Sequence, residues 1–174
     1  MLEEIDESHE INLCYDSFVF TSTGITAERS AKRFLLPSKA RATALCQNLR
    51  KNLAWMFSIV SKQYLIGELI PAFYTPGQVH PGTYGPHDLA LLLISFGIGA
   101  LVDLDLPPYH EEAENYYRLA LSAVNLQPAL INPSIVTVKC SHLMSIYNGL
   151  SGKESGLEDS FRLLDFAWKV ALKV

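Results

Sequence analysis

The sequence HDLALLLISFGIGALVDLD, residues 87–105, decides the fold of this chain of 174 residues. Fourteen consecutive residues within it, 89–102, carry no charge and only one hydroxyl group. A helix that crosses a membrane needs roughly 18 to 20 apolar residues, and Asp88 and Asp103 close this run before that length is reached. The stretch therefore predicts a buried core helix, with the rest of the chain packed around it and no membrane partner.

The composition is typical of one folded domain that does not bind anions over its whole surface. The chain is 49% hydrophobic, which is enough for a core, and its net charge of −4 disfavours nucleic acid or an anionic membrane as a partner of the whole surface. Cys14, Cys46 and Cys140 form no CxxC pair, so we expect reduced thiols rather than disulfides or a zinc knuckle. Residues 1–10 are acidic and show no targeting signal. These features predict an intracellular protein.

The first part of the chain changes from an arm to a helix at Ser38. Residues 1–37 have no helical period and are expected to be an extended or poorly ordered arm. With Ser38 as its N-cap, a helix then carries apolar residues on one face, namely Leu45, Leu49, Leu53, Met56 and Val60. We expect this helix to continue to Pro71, which should end it. Residues 71–86 contain four prolines and three glycines, which predict a long loop.

Three more helices are expected after the core helix, in which Gly97 and Gly99 suit close approach by a neighbour. One opens at Pro108, with an inward face of Ala113, Tyr116, Tyr117, Ala120, Ala123 and Val124. The next is capped by Ser134 or Asn132 and carries a stripe of Ile135, Lys139, Leu143, Ile146 and Leu150. The last has an apolar face of Leu157, Phe161, Leu164, Trp168 and Ala171. The sequence thus predicts an all-α fold, an irregular multi-helix bundle of about six helices over residues 38–174, with an extended N-terminal arm.

The strongest charge asymmetry is a weak basic patch between residues 29 and 51. It holds seven of the 14 basic residues and no acidic one: Arg29, Lys32, Arg33, Lys39, Arg41, Arg50 and Lys51. Such a patch can contact phosphate groups or simply be a solvated face of the arm and helix. No aromatic residues alternate with the basic ones in the way typical of nucleic-acid binding, which favours the solvated face.

No group of residues has the spacing of a catalytic or metal site. The five histidines show neither an i, i+4 pair nor a HExxH frame. His110, Glu111 and Glu112 could be an acid–base group, but acidic residues at the start of a helix are explained by its dipole. Cys46 and Cys140 lie among apolar residues, where thiols are usually unreactive. We expect no catalytic, cofactor-binding or metal-binding residue in this chain, and no enzyme.

Four passages carry a resemblance to a known family. They are LLPSKARATALCQNLRKNLAWMF from Leu35, the core stretch, AENYYRLALSA from Ala113, and SIVTVKCSHLMSIYNGL followed by the helix ending in LLDFAWKVALKV. In this order they resemble the regulatory middle homology region of fungal zinc-cluster transcription factors, also called the xylanolytic-activator or fungal-specific transcription factor domain. The resemblance covers residues 35–174 and implies the N-terminal part of that domain, truncated on its C-terminal side.

The resemblance implies a helical regulatory module of a nuclear protein that regulates DNA-templated transcription. Its partners would be other proteins or the remainder of its own domain. DNA binding and zinc would belong to a separate six-cysteine domain missing from this chain, so no cofactor is expected here. If the chain is such a fragment, its last helix should expose apolar surface through which copies could self-associate.

Two other hypotheses remain open. Tyr116 and Tyr117 between Ala113 and Ala120 resemble the small–large alternation of solenoid helices, which would make the chain a free-standing helical adaptor for protein interactions. A small helical enzyme, with residues 71–86 covering a pocket, is the least favoured alternative.

Overall fold

The computed structural model describes residues 36–53, 59–75, 83–127 and 129–174. These parts contain six α-helices and one π-helical segment and no strand. The elements are α1 Lys39–Leu53, the π-helical segment Gln63–Leu69, α2 Ile70–Tyr74, α3 Pro86–Leu101, α4 Glu111–Asn125, α5 Ile135–Leu150 and α6 Gly156–Ala171. The all-α prediction of about six helices is confirmed, while the expected arm lies outside the described residues except for its last two.

Helix α3 is the centre of the fold, as the opening stretch predicts. It packs against α1, α4 and α5, and every residue from 89 to 100 is buried. The helix begins where the Asp88 carboxylate accepts a hydrogen bond from the Gly85 backbone N–H, at 2.8 Å, and Pro86 occupies the first turn, where a missing N–H is tolerated. Burial of each large apolar side chain contributes about 1.5–3 kcal/mol, so this one helix supplies much of the stability.

Two glycines let neighbouring helices approach the backbone of α3. A Cβ atom added at Gly99 would overlap the backbone carbonyl of Leu45 in α1. One added at Gly97 would lie 3.2 Å from the carbonyl oxygen of Ala113 in α4. The predicted close approach is therefore confirmed, and it involves two different neighbours on two sides of α3.

The prediction of one continuous helix from Ser38 to Pro71 is wrong. Ser38 caps α1 as expected, its Oγ accepting the Arg41 N–H at 3.3 Å, but residues 59–61 are not helical; Met56 lies outside the described residues. Helical structure resumes in the π-helical segment, and Pro71 lies in the first turn of α2 instead of ending a helix. The Ile70 N–H donates to the Leu65 carbonyl, five residues back, as in a π-helix. The hydrogen-bond register changes from π to α at Pro71, which has no backbone N–H to donate, so the change leaves no donor of this residue unpaired.

The prediction of a loop over residues 71–86 is wrong at its start, because residues 71–74 are helical. Within this loop only residues 71–75 and 83–86 are described. The Tyr74 hydroxyl donates a hydrogen bond to the Pro37 carbonyl at 2.8 Å, which fixes α2 beside the start of α1.

The predicted start of the next helix at Pro108 is also wrong, because α4 begins at Glu111. Tyr109 has a positive φ of 57°, a conformation in which a helix cannot continue. His110 is the N-cap, with its Nδ1 accepting the Glu112 N–H at 3.2 Å. Val124 of the predicted inward face is only partly buried. The other five residues of that face are buried, which confirms the prediction for them: Ala113, Tyr116, Tyr117, Ala120 and Ala123.

The predicted stripe of α5 is correct at its centre and wrong at its ends. Ser134 is the cap, its Oγ accepting the Thr137 N–H at 3.1 Å, and Leu143 and Ile146 are buried, but Ile135 and Leu150 are exposed. The buried face is instead rich in small and polar residues, which lie beside Met144 and Tyr147: Thr137, Cys140, Ser141, Ser145 and Asn148. Local hydrogen bonds explain this, since the Ser141 hydroxyl donates to the Thr137 carbonyl at 2.9 Å and needs no water.

We expect Gly99→Ala to destabilise the protein by about 1–3 kcal/mol, because its methyl group forces α1 away from α3. Gly149→Ala is the matched control. Its added Cβ would meet only Ser160 Oγ, at 3.9 Å, and the gain in helix propensity should stabilise the protein by up to about 1 kcal/mol. Urea unfolding of both variants measures the difference. Equal effects of the two substitutions would contradict the close approach.

Candidate interaction surface

The last helix exposes a continuous row of large apolar side chains. We call these residues the α6 stripe: Leu157, Phe161, Leu164, Trp168 and Leu172, with exposed fractions of 69, 70, 39, 65 and 69%. Four of the five are those that the sequence assigns to one face of the last helix; the fifth position in that pattern, Ala171, is also exposed. Contiguous apolar residues on a protein surface mark interaction sites more often than scattered ones do.

Helix α6 exposes its largest side chains because it packs on α5 through its smallest ones. Gly156, Ala167 and Val170 are its buried residues. A Cβ atom added at Gly156 would overlap the carbonyl oxygen of Asn148. The hydroxyl groups of Ser145 and Ser160 form a hydrogen bond between the two helices, at 3.0 Å. The fully buried part of this contact therefore consists of small residues, and the stripe lies outside it.

Charged residues run alongside the stripe. Arg162 pairs with Glu158 at 2.6 Å and with Asp159 at 3.7 Å, and Lys169 pairs with Asp165. All of them lie at the surface, where such pairs within a helix contribute about 0.3–0.5 kcal/mol each. Acidic residues occupy the first turn and Lys169 the last, which agrees with the direction of the helix dipole.

One residue of the basic patch, Arg41, forms ion pairs within the fold and is not a free surface charge. Arg29, Lys32 and Arg33 lie outside the described residues. A second group lies on α1, where Lys39 and Lys51 are exposed and Arg50 is partly buried. Arg41 is instead engaged by two carboxylates. Phosphate contact by the remaining basic residues stays a prediction.

Arg41 ties three elements together. Its Nη1 donates to Asp103 Oδ2 at 2.9 Å, and its Nη2 and Nε donate to the two carboxylate oxygens of Glu112 at 2.7 and 3.3 Å. The side chain of Asp103, just after α3, is only 6% exposed. The hydrogen bond with Glu112 is the main reason that the pKa of Arg41 is raised. The cluster thus joins α1 to the end of α3 and to the first turn of α4.

Two of the three residues of the possible acid–base group His110, Glu111 and Glu112 have structural partners. His110 caps α4, and Glu112 holds Arg41. Sequence reasoning missed the Arg41 cluster, since its members are separated by about 60 to 70 positions. A basic residue in the first turn of α1, where the helix dipole disfavours it, was the one available signal.

A second polar cluster lies at the other end of α3. Buried His87 has its Nε2 within 3.3 and 3.1 Å of the Val124 and Gln127 carbonyl oxygens, and its Nδ1 is 2.7 Å from Thr137 Oγ1. Because carbonyl oxygens only accept, Nε2 carries a proton, and Nδ1 shares a hydrogen bond with the Thr137 hydroxyl. His87 therefore links α3, the end of α4 and the start of α5.

Aromatic residues connect α4 to α5. The rings of Tyr117 and Tyr147 are stacked with their centroids 4.5 Å apart. Asn148 Nδ2 donates to the Tyr117 hydroxyl at 2.8 Å, and the Tyr147 hydroxyl donates to Glu114 at 3.0 Å. Burial raises the pKa of both tyrosines. These side chains serve packing between two helices.

Two of the three cysteines are core residues, as predicted. Cys46 and Cys140 are free and buried, and Cys14 lies outside the described residues. Burial raises the pKa of the Cys46 thiol to about 12 and that of Cys140 further. The thiolate, which is the reactive form, is therefore strongly disfavoured at both positions.

No group of three or more His, Cys, Asp or Glu side chains in the described ranges is arranged to hold a metal ion. None of the helices in these ranges combines the length and the apolar character that a membrane span requires.

Comparison with protein-family models, with curated proteins and with solved structures gave no significant match. The class of the chain is therefore described by its fold and its surface alone. It is an all-helical bundle around one apolar helix, in which the principal polar clusters have structural partners and the last helix presents an apolar stripe.

We expect Arg41→Met to destabilise the protein by about 2 kcal/mol, because it leaves the buried Asp103 carboxylate without its charged donor. Lys51→Met removes a positive charge from an exposed position of the same helix and should change stability by less than about 0.5 kcal/mol. Thermal and urea unfolding of the two variants provide the comparison. A loss of similar size in both would show that only the net charge matters.

Proposed function

We propose that this chain is part of the regulatory domain of a fungal zinc-cluster transcription factor. It would act in the nucleus in the regulation of DNA-templated transcription. DNA binding and zinc would reside in a domain outside this chain, and the chain itself would act through protein contacts.

The observation that carries the proposal is the correspondence between the resembling passages and the helices. The first passage includes α1, the second is α3, the third lies within α4, and the fourth is the pair α5 and α6. The passages thus coincide with consecutive elements of one packed unit, in which α3 contacts α1, α4 and α5. This arrangement agrees with the helical module that the resemblance implies.

The distribution of polar groups agrees with a protein that works through its surface. Arg41 and His87, the centres of the two polar clusters, each hold three elements together. The buried thiols are disfavoured as nucleophiles. The α6 stripe, in contrast, is exposed in the part of the chain that the structure describes and can contact a partner.

A free-standing helical adaptor is the alternative. The α5–α6 hairpin and the exposed stripe suit such a protein as well. In a solenoid, however, each helical pair contacts only its neighbours in sequence, whereas α3 contacts α1 across a long intervening segment. That arrangement favours the globular regulatory domain over the solenoid.

Regulatory activity can be measured by fusing residues 1–174 to an unrelated DNA-binding domain whose DNA site lies upstream of a reporter gene. We expect the fusion to change reporter output relative to the DNA-binding domain alone. Leu92→Asp, which places a charge at a fully buried position of α3, should abolish this effect, and Lys51→Met should preserve it. Reporter output identical to that of the DNA-binding domain alone would count against the proposal.

The gene supplies an independent check. We expect its transcript to encode a six-cysteine segment in the same reading frame before residue 1, and the tagged endogenous protein to accumulate in the nucleus. A transcript that lacks such a segment, together with a cytoplasmic protein, would favour the adaptor.

A further inference from the structure

The α6 stripe has the spacing of a helix–helix seam. Its residues Leu157, Phe161, Leu164 and Trp168 follow one another at intervals of four, three and four, and Ala171 continues the pattern. Alternating intervals of three and four are those of the a and d positions of a coiled coil, which bury against one partner helix. The stripe therefore fits a single helix that lies along it, over the roughly 24 Å length of α6.

The charges beside the stripe restrict that partner. Glu158, Arg162, Asp165 and Lys169 each follow a stripe residue by one position. One residue is about 100° around a helix, so all four lie along the same flank of the stripe. Their signs alternate as negative, positive, negative and positive from the N-terminus to the C-terminus.

We propose that the α6 stripe binds the α6 stripe of a second copy of this chain, with the two helices antiparallel. A two-fold axis near Leu164 brings Leu164 against its own counterpart and Phe161 against Trp168 of the second copy. It also brings Leu157 against Ala171. The apolar row is thus complementary to itself when reversed, as a two-fold interface requires.

The same axis pairs the charges. The flank that carries them meets the equivalent flank of the second copy, so Glu158 faces Lys169 and Arg162 faces Asp165, each twice. In a parallel pair, by contrast, the charged flank would face the opposite flank of the second copy, whose positions 160, 163, 167 and 170 carry no charge, so the four charges would gain no partners. The charge order therefore selects a second copy in the antiparallel direction.

These four side chains are free to change partners. Glu158, Arg162, Asp165 and Lys169 are exposed by 61–71%, and their present ion pairs lie within one helix. Exchanging such a pair for one across the interface costs little. The second flank of the stripe borders Ala167 and Val170, which pack on α5, so α5 lies beside the seam and not across it.

The contact area of one pair of helices is at the small end of specific interfaces, so we expect a dissociation constant on the order of micromolar. This inference does not depend on the proposed regulatory function. It concerns the chain of 174 residues in solution.

Charge exchange along the flank tests the inference with the full chain. A basic-flank variant, Glu158→Lys with Asp165→Lys, and an acidic-flank variant, Arg162→Glu with Lys169→Glu, should each be monomeric in sedimentation velocity, whereas the unaltered protein dimerises as its concentration rises. An equimolar mixture of the two variants should restore the dimer as a one-to-one pair, because each flank then meets its opposite. Far-UV circular dichroism verifies that both variants remain helical.

A matched control carries the same charge change elsewhere. Glu111→Lys with Glu154→Lys alters exposed residues outside the stripe and should leave dimerisation unchanged. An unaltered protein that stays monomeric at every concentration would overturn the inference and leave the stripe to a different partner. So would dimers that persist in both flank variants, or variants whose mixture does not associate.

Discussion

The burial of helix α3 on all sides is the constraint on which the rest of the structure depends. An apolar helix without a polar face must be covered by several neighbours, and here α1, α4 and α5 do so. Its single hydroxyl, that of Ser95, donates to the Leu91 carbonyl at 2.7 Å and so needs no outside partner. Gly97 and Gly99 then determine where α4 and α1 can approach most closely. Among the described residues, no buried side-chain nitrogen or oxygen lacks a hydrogen-bond partner.

The apolar helix gains its specificity from polar contacts at its two ends. At the N-terminal end, His87 bonds to the end of α4 and the start of α5. Just beyond the C-terminal end, Asp103 shares Arg41 with Glu112 of α4. Hydrophobic burial is not directional, so many arrangements of helices could cover α3. The two polar clusters favour one of them, because each satisfies its buried groups only when three elements meet.

Local patterns predicted what depends on local physics. The buried helix, the Ser38 and Ser134 caps and the inward face of α4 follow from periodicity and from the needs of helix ends. The π-helical register before Pro71 was missed because proline usually ends a helix, and here the register change removes the need for its N–H. The Arg41 cluster was missed because its members are distant in sequence. The α6 stripe was located by its spacing, but its exposure depends on the small residues that bring α5 close, which only the packing shows.

The molecule thus combines a core that is closed around α3 with a last helix that is half covered. This combination agrees with the proposed regulatory domain and with the alternative adaptor. Both depend on the burial of α3. Amide hydrogen exchange tests that burial most directly. The account predicts that amides of residues 89–100 exchange only through global unfolding, with an exchange free energy equal to the unfolding free energy, and that those of α6 exchange sooner. Exchange in α3 as fast as that in α6 would contradict it.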